Sequence, residues 1–569
     1  MDLSTLSVEE INKLSAQQGA KALQKLREES LDPMTINEQL LMTLLRDNAD
    51  TEIGRKYDFA SIHSIAEYQK RVPVSTYDDY ADYVYRMLYN DETNLMTAYD
   101  VQLYTSTNGT MGNPKIVPMT DKAIAVQNFY NAQVHSGVIN EGVTDYSGHF
   151  LSLLECRFIE TKGGKNFGHL SSIMLQDSAP IMQHITSTPM EALFPQGDTN
   201  ARYLQARFGL ATADITSINC SFLSIAVELL RYIETEWEML VDDIEHGTIN
   251  EDIRMPEEVR EKLLERIEPM PERAKELREI FQQGFDEPFA PKVWKKLRLI
   301  CGVGTGPFEI YDSKLKERFV NDQVHFFYAG ISSTEAMFSV PVSLDSKDSA
   351  LVPNSVFYEF LPMDANGDFS QVVTMDKVEV GKEYEIIMTS PSGLYRYRMG
   401  DCIRIMGMYN KLPLIRMQYR IGNMVEIIDD HTTEDMLTAA VVDTAKKFHF
   451  DLVDFTVYAD RDAMPPRYVY LLEMGDHPDG LKLEEMRQYL DERLCTYSPD
   501  LKEYQEKGIG GQTGLHILQE ETYLLYKDIM VMKGRSFSQV KPVHIIRNNF
   551  QYRFFFSLID RAWEEADDE

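Results

Sequence analysis

Cysteine is scarce in this chain, and the few cysteines that occur are widely separated. The sequence of 569 residues contains five, namely Cys156, Cys220, Cys301, Cys402 and Cys495. None of them forms a C-x-x-C pair, and a chain of this length can bury enough apolar surface to fold without disulfides. This pattern excludes a disulfide scaffold and predicts reduced cysteines in the core.

Long apolar stretches and positive charge are also limited. No run of 18 apolar residues occurs, and the start M-D-L-S-T-L-S-V-E-E lacks the basic and apolar regions of a secretory signal, which predicts a cytoplasmic protein. The 57 basic residues face 90 acidic ones, and the resulting net charge of −33 repels nucleic acid and anionic membranes. We therefore expect neither partner, and the sequence leaves the oligomeric state open.

The common catalytic histidine motifs are absent as well. The twelve histidines include no H-E-x-x-H or similar ligand spacing, and nothing supports a Ser-His-Asp or Cys-His assignment. The chemistry must therefore be sought in other residues.

The segment 105–115 is the most informative one that is present, and it reads T-S-T-N-G-T-M-G-N-P-K. Its glycines let backbone N–H groups turn inward, while hydroxyl groups and a lysine add donors and charge. Its spacing differs from the G-x-x-x-x-G-K-[ST] of a Walker loop, and a polar surface turn is the structural alternative. The candidate phosphate-binding residues are Ser106, Thr107, Gly109, Thr110 and Lys115.

The order of apolar patterns predicts an α/β protein with two domains. We expect a large N-terminal domain over 1–425, with β-sheets, helices and a distorted β-barrel, and a smaller α+β lid domain over 426–569. Helical spacing over 219–245 opens a predicted helical insert at about 219–290. Apolar runs at 297–303 and 325–329 read as parallel strands joined by a crossover.

Acidic and aromatic residues near predicted strand ends are candidates for nucleotide binding. Glu335, in Y-A-G-I-S-S-T-E, follows a strand and is a plausible Mg²⁺ ligand, although an early glutamate at a helix N-terminus would look the same. Asp401, after a strand and a glycine, could accept hydrogen bonds from ribose hydroxyls, or it could be a turn aspartate. Tyr358 could stack on adenine, or it could be a core aromatic.

A late lysine is the last candidate. Gln539 and Lys541 fall on one side of a predicted extended segment, K-G-R-S-F-S-Q-V-K-P. A lysine on a mobile domain could enter the active site for one half-reaction only, whereas most single lysines are solvated surface residues.

Taken in order, these motifs resemble the Gretchen Hagen family of auxin-responsive acyl-acid amido synthetases, a branch of the adenylate-forming superfamily. The stretches T-E-I-G-R-K-Y-D-F at 51–59 and R-V-P-V-S-T-Y-D-D-Y at 71–80 look like that family too, and the resemblance covers roughly residues 50–545. It implies that a carboxylic acid reacts with Mg·ATP to give an acyl-adenylate and pyrophosphate, after which an amino acid amine takes the acyl group and AMP leaves.

The resemblance also implies a role for each candidate. The loop residues would bind phosphates, Glu335 would bind Mg²⁺ near the α-phosphate with Thr334 as a nucleotide contact beside it, Tyr358 would contact adenine, and Asp401 would contact ribose. Lys541 would act as the family's C-terminal catalytic lysine, alongside Glu335 and Lys115.

One departure lies at the predicted hinge. Plant members tend to have a basic pair before the asparagine that matches Asn423, and here these positions are Ile421 and Gly422. Arg420 could substitute, or the hinge could work differently.

Two other functions share parts of this pattern. An acid–thiol ligase would use the same adenylation step with coenzyme A as acceptor. A non-catalytic acyl- or nucleotide-binding protein could retain the fold without turnover.

Overall fold

The chain divides into two compact units in a computed structural model. The units are Met1–Met417 and Gln418–Glu569, so the predicted boundary at 425/426 falls inside the second unit. The structure describes residues 6–106, 115–144, 146–156, 158–160, 166–168, 179–421, 425–428, 430–476, 478, 480–533 and 535–566. Among the helices in these ranges, none is long and apolar enough to cross a bilayer. All five cysteines are described, and no disulfide joins them.

The first unit starts with helices whose ends agree with the sequence signals. The first helix begins after Ser7, whose hydroxyl accepts from Glu10 N, while the Glu10 carboxylate accepts from Ser7 N at 2.9 Å, a capping box. The described α-helices of this unit are Val8–Glu29, Pro33–Asp47, Glu52–Lys56, Ile65–Arg71, Ala81–Tyr89, Asp121–Asn128, His135–Gly142, Met190–Leu193, Ala201–Ala211, Leu223–His246, Glu257–Leu264, Pro271–Phe281, Ala290–Val293 and Glu309–Lys314.

Short 3₁₀ and π segments connect several of these elements. The 3₁₀ segments of the first unit are Phe59–Ser61, Tyr77–Asp79, Gly306–Phe308, Met363–Ala365, Phe369–Gln371 and Met375–Lys377, and the π segments are Phe129–Val134 and Leu315–Phe319.

The described strands, numbered along the chain, form four sheets. They are β1 Val101–Ser106, β2 Ile116–Thr120, β3 His149–Ser152, β4 Phe158–Glu160, β5 Asn166–Gly168, β6 Ile215–Phe222, β7 Leu299–Val303, β8 His325–Tyr328, β9 Ser339–Pro341, β10 Ser349–Leu351, β11 Phe357–Pro362, β12 Glu383–Thr389, β13 Tyr397–Tyr409, β14 Leu412–Arg420, β15 Leu452–Asp460, β16 Arg467–Met474 and β17 Gly514–Ile517.

A parallel sheet with the order β3-β6-β7-β8 confirms the predicted strand–crossover–strand unit. The predicted helical insert is the crossover between β6 and β7. The helix does not start at 219 as predicted, because residues 219–222 extend β6, where Asn219 pairs with Ser152 on one side and Cys301 on the other. The apolar run suits either element, and the ladder hydrogen bonds on both sides favour the strand.

An antiparallel region also appears where alternating segments predicted it. Its sheet has the order β11-β12-β13-β14-β10-β9, and no pairing among the described strands joins β11 to β9. The structure therefore has an open sheet where the sequence predicted a distorted barrel. A second four-stranded sheet has the order β2-β1-β5-β4, with β2 at its edge.

The main core of the first unit packs N-terminal helices against the six-stranded sheet. Leu26, Leu41 and Tyr68 from the helices join Tyr358 and Tyr384 from the sheet, and all five are at most 2% exposed. Apolar burial of this extent is the dominant stabilising contribution to a domain of this size.

The second unit has the predicted α+β order. Its sheet, β15-β16-β17, pairs β15 with β16 in antiparallel and β16 with β17 in parallel orientation. Its described α-helices are Glu434–Phe448, Leu483–Tyr497, Pro499–Glu506, Thr522–Met532, Asn549–Ser557 and Arg561–Ala566, and Phe537–Gln539 is a 3₁₀ turn.

Candidate active site

The predicted phosphate loop connects two antiparallel strands. Ser106, at the end of β1, pairs with Ile116, at the start of β2, and Ser106 is half-buried. The loop residues Thr107, Gly109 and Thr110 lie outside the described residues. The hairpin therefore places Ser106 and Lys115 at the two ends of this loop.

Lys115 lies between two tyrosine rings. Its Nζ donates to the Tyr397 hydroxyl at 3.2 Å and lies 5.8 Å and 5.7 Å from the ring centroids of Tyr77 and Tyr397. The side chain is half-buried, so its ammonium is directed rather than freely solvated. Tyr397 is the first residue of β13, the same strand that carries Asp401. Its bond to Lys115 therefore connects the end of the loop to this strand.

Tyr77 is hydrogen-bonded to the edge strand β2, and burial and the charge of Glu335 raise its pKa. Its hydroxyl donates to the Ile116 carbonyl at 3.0 Å and accepts from the Ile116 N–H at 2.8 Å. Burial raises the pKa of Tyr77, the bond to Ile116 opposes this, and the Glu335 carboxylate raises the pKa further. Tyr77 therefore responds to the charge of Glu335 and also lies beside Lys115.

Glu335 lies in a tight turn rather than at a helix N-terminus. Ser332 and Met337 form an antiparallel bridge, and the Ser333 hydroxyl accepts from Glu335 N at 3.1 Å and from Ala336 N at 3.3 Å. Glu335 is 3% exposed, and its carboxylate has no hydrogen-bond or ion-pair partner in the described part of the chain. An acidic side chain with no partner in the described chain is available to bind an added cation. Thr334 is half-buried in the same turn.

Asp401 lies inside β13, not in a turn after it. Glu385 of β12 pairs with Cys402 and Ile387 pairs with Arg398, so the residues between them on β13 form a bulge. Gly400 adopts a φ of +74° there, which a side chain would disfavour. The bulge interrupts the ladder at Asp401, which is 9% exposed.

Tyr358 is a core residue, and this contradicts its predicted contact with adenine. It is 0% exposed, and its hydroxyl lies 2.9 Å from the carbonyl oxygens of both Phe338 and Val352. Its ring stacks on Phe360 with centroids 6.1 Å apart, and burial raises its pKa. Both faces of β11 are covered, so a nucleotide cannot reach this ring.

Lys541 belongs to the second unit and has an exposed side chain. The segment before it is not extended as predicted, because Phe537–Gln539 forms a 3₁₀ turn. The buried residues Val540 and Val543 flank the lysine and hold its backbone against the unit.

Two other features of the first unit are separate from these residues. Asp242, Glu245 and His246 lie close enough together to hold a metal, but Arg278 already pairs with Glu245 at 2.5 Å and approaches Asp242 at 3.8 Å. A cavity of about 520 Å³ contains none of the predicted site residues, and it is lined by Gln69, Lys70, Pro73, Val74, Phe369, Ser370, Val372 and Arg396.

Solved structures share this fold. The structure of the GH3.15 acyl acid amido synthetase matches with a TM-score of 0.83 at 23% identity, over 95% of this chain and 96% of that one. The 2-hydroxyisobutyryl-CoA ligase in its postadenylation state matches with a TM-score of 0.52 at 11% identity, over 97% and 93%. The chain therefore has the mixed α/β fold of these two solved structures.

Sequence comparison then identifies the family. The models for the GH3 family N-terminal, central and C-terminal domains match residues 22–324, 349–420 and 435–549. The chain belongs to the GH3 family, which confirms the resemblance to the Gretchen Hagen enzymes.

Curated relatives match along nearly the whole chain. A protein of Arabidopsis thaliana named putative indole-3-acetic acid-amido synthetase GH3.9 is 25% identical over 95% of this chain and 96% of its own. The jasmonoyl–L-amino acid synthetase JAR6 of Nicotiana attenuata is 25% identical over 94% of each chain.

Sequence reasoning missed Tyr77 and Tyr397 as neighbours of Lys115. Both lie in stretches that carry the family resemblance, R-V-P-V-S-T-Y-D-D-Y and Y-R-Y-R-M-G-D. Nothing in either stretch indicates which residue its tyrosine contacts, because that depends on how distant segments pack.

Proposed function

We propose that this protein is an ATP-dependent acyl-acid amido synthetase. It is a ligase that adenylates a carboxylic acid, releases pyrophosphate, and transfers the acyl group to an amino acid amine with release of AMP. Membership of the GH3 family supports the reaction class. The observation that carries the proposal is Glu335, a residue 3% exposed whose carboxylate has no partner among the described residues and adds to the effect of burial in raising the pKa of Tyr77 beside Lys115.

The first step needs charge neutralisation and alignment more than a base. A substrate carboxylate oxygen attacks the α-phosphorus while the bond to pyrophosphate breaks, and the carboxylate is already ionised at neutral pH. Glu335 fits Mg²⁺, because this ion takes one or two carboxylates and shares phosphate oxygens. Bound there, Mg²⁺ would neutralise developing negative charge.

The remaining residues would orient the nucleotide. Lys115 and Ser106 would face the phosphates from the two ends of the loop, with Thr107, Gly109 and Thr110 between them. Asp401 would accept hydrogen bonds from the ribose hydroxyls at the β13 bulge, and Thr334 would contact the nucleotide beside Glu335.

The second unit would supply Lys541 for adenylation as a rotating lid. In the second step the amine attacks the acyl carbon, the bond to AMP breaks, and the amine nitrogen loses a proton. We place the lid at 426–569 and the helical insert at about 219–290, and we propose a cytoplasmic protein. Because relatives are named for indole-3-acetic acid and jasmonoyl substrates, and one structure contains 2,4-DB, these acids are the first to test.

A product assay tests the proposal directly. The protein is incubated with Mg·ATP, a panel of indole-3-acetic acid, jasmonic acid, 2,4-DB, benzoic acid and fatty acids, and pooled amino acids. We expect acid-dependent AMP and pyrophosphate and an acyl–amino acid conjugate in the mass spectrum. Formation of ADP, or turnover that requires coenzyme A and ignores amino acids, would contradict the proposal.

A further inference from the structure

A buried histidine lies just after Lys541 in the second unit. His544 is 3% exposed, and its ring stacks on Phe455 with centroids 4.4 Å apart. Its Nδ1 lies 2.8 Å from a Glu434 carboxylate oxygen and its Nε2 lies 3.0 Å from an Asp454 carboxylate oxygen. A neutral imidazole has only one N–H, so a ring that donates to both carboxylates at once must be the imidazolium cation.

The groups around the ring agree with this charge. Burial alone lowers the pKa of His544, but Asp454 and Glu434 outweigh it and raise the pKa to about 10. Glu434 lies in the first turn of the helix Glu434–Phe448, and it also raises the pKa of Arg547, which burial lowers more strongly. Asp454 raises the pKa of Tyr523 as well, beyond the effect of burial.

The backbone beside the ring is docked along β15. Val457 N donates to the His544 carbonyl at 2.8 Å, and Ile546 N donates to the Val457 carbonyl at 2.9 Å, which makes a parallel bridge between Val457 and Ile545. The Thr456 hydroxyl donates to the Val543 carbonyl at 2.6 Å. The segment 543–546 is therefore fixed to β15, and Lys541 lies just before this fixed segment.

We propose that His544 is a positioning residue for Lys541: as a cation held between Glu434 and Asp454, it fixes the segment 543–546 on β15 and thereby sets where the Lys541 ammonium is carried. The inference rests on the proposed function, in which Lys541 serves adenylation. It predicts that neutralising His544 affects the same half-reaction as removing the lysine, although His544 itself need not touch a substrate.

Hydrogen exchange tests the structural half of this inference without any substrate. In the full-length His544→Gln variant, we expect backbone amides of 540–546 to exchange at least about tenfold faster, while those of the helix Leu483–Tyr497 keep their protection. His544→Arg retains a cation and should recover part of the protection. Unchanged exchange at 540–546 in His544→Gln would overturn the proposal.

The half-reactions test the catalytic consequence. With the panel acid that gives the most AMP, His544→Gln should lower kcat for pyrophosphate release at least about tenfold and leave KM for ATP within about twofold. Conversion of supplied acyl-adenylate to the amide should stay near the wild-type rate, as it should in Lys541→Ala. Equal loss of both half-reactions in His544→Gln would indicate a structural role and overturn the inference.

A matched variant separates positioning from lost stability. Arg493, on the helix Leu483–Tyr497, pairs at 2.6 Å with Asp443. Asp443 lies on the helix that also carries Glu434, and neither residue of the pair is near 540–546 in the sequence. Arg493→Gln should lower Tm without the selective loss of pyrophosphate release. If Lys541→Ala instead keeps full adenylation, the proposed role of the lysine fails, while the exchange experiment still decides whether His544 holds the segment.

Discussion

Two buried glutamates of the first unit have opposite surroundings. Glu359 is 0% exposed, and its carboxylate accepts from Arg396 Nε at 3.0 Å and from Gln69 Nε2 at 2.9 Å. Glu335 is 3% exposed and has no such partner among the described residues. The Glu359 carboxylate has its counter-charge, Arg396, within the chain. The Glu335 carboxylate gains a counter-charge only if a cation binds. The comparison separates a structural charge from a candidate catalytic one.

Arg396, the partner of Glu359, is itself hydrogen-bonded to other parts of the first unit. Arg396 Nη1 donates to the carbonyl oxygens of Gln69 at 2.8 Å and Val72 at 2.9 Å, so the guanidinium ties the helix Ile65–Arg71 to β11. Arg396 also adopts a φ of +47°, an uncommon conformation that this network holds in place.

The largest expected effect is on stability at Glu359. Glu359→Ala leaves Arg396 buried without its counter-charge, and we expect the free energy of unfolding to fall by about 3–5 kcal/mol. Urea unfolding of the first unit, followed by tryptophan fluorescence, measures this change. The double variant Glu359→Leu/Arg396→Leu should recover only part of the loss, because it removes the unpaired charge but leaves the carbonyl oxygens of Gln69 and Val72 without their donor. A single variant as stable as wild type would show that the ion pair is not structural.

Substitution of Glu335 should lower the activity and leave the stability unchanged. Glu335→Gln is expected to lower acid-dependent pyrophosphate release at least tenfold, roughly 1.4 kcal/mol of transition-state stabilisation, with no fall in the free energy of unfolding. The stability is retained because the lost charge had no partner to leave behind. The exposed Glu379, paired with Lys382 at 2.7 Å, offers Glu379→Gln as a control that keeps full activity. Wild-type turnover in Glu335→Gln would remove Glu335 from the site.

The sequence predicted those parts of the structure that depend on local signals. Ser7 and Glu10 mark a helix start because a capping box is made within one turn. Glu335 could be selected because a residue that follows a strand of a parallel sheet tends to lie at the ligand-binding edge. The helices and strands of the second unit follow from the same local periodicity.

Other features depend on packing between distant segments and could not be read from the sequence. Alternation on β11 says that Tyr358 and Glu359 point to opposite faces, but not that both faces are covered. The apolar run at 219–222 suits a helix until β3 and β7 are placed on either side of it. The contact of Tyr77 with Ile116 joins residues 39 positions apart.

Asp401 gives a smaller test, of the nucleotide contact itself. Asp401→Ala should lower pyrophosphate release about tenfold if the carboxylate binds the ribose hydroxyls. Replacing ATP with 2′-deoxy-ATP should slow pyrophosphate release by the wild type several-fold, because one lost hydrogen bond costs about 1 kcal/mol. The same replacement should leave the rate of the variant almost unchanged. If both proteins prefer ATP over 2′-deoxy-ATP by the same factor, Asp401 does not contact the ribose, even if Asp401→Ala slows pyrophosphate release.

The smallest expected effect lies at Tyr77, whose ring lies beside Lys115. Tyr77→Phe removes the hydroxyl that bonds both backbone groups of Ile116, so the edge of β2 beside the loop loses support. We expect a loss of about 1 kcal/mol in the free energy of unfolding and a two- to fivefold slower pyrophosphate release, at about one hydrogen bond's worth of energy. Tyr83→Phe, on the neighbouring helix Ala81–Tyr89, is the matched control and should change neither quantity. A Tyr77→Phe variant that loses as much activity as Glu335→Gln would mean that the hydroxyl acts on the substrate directly, and the catalytic contrast between the two glutamates would then extend to this tyrosine.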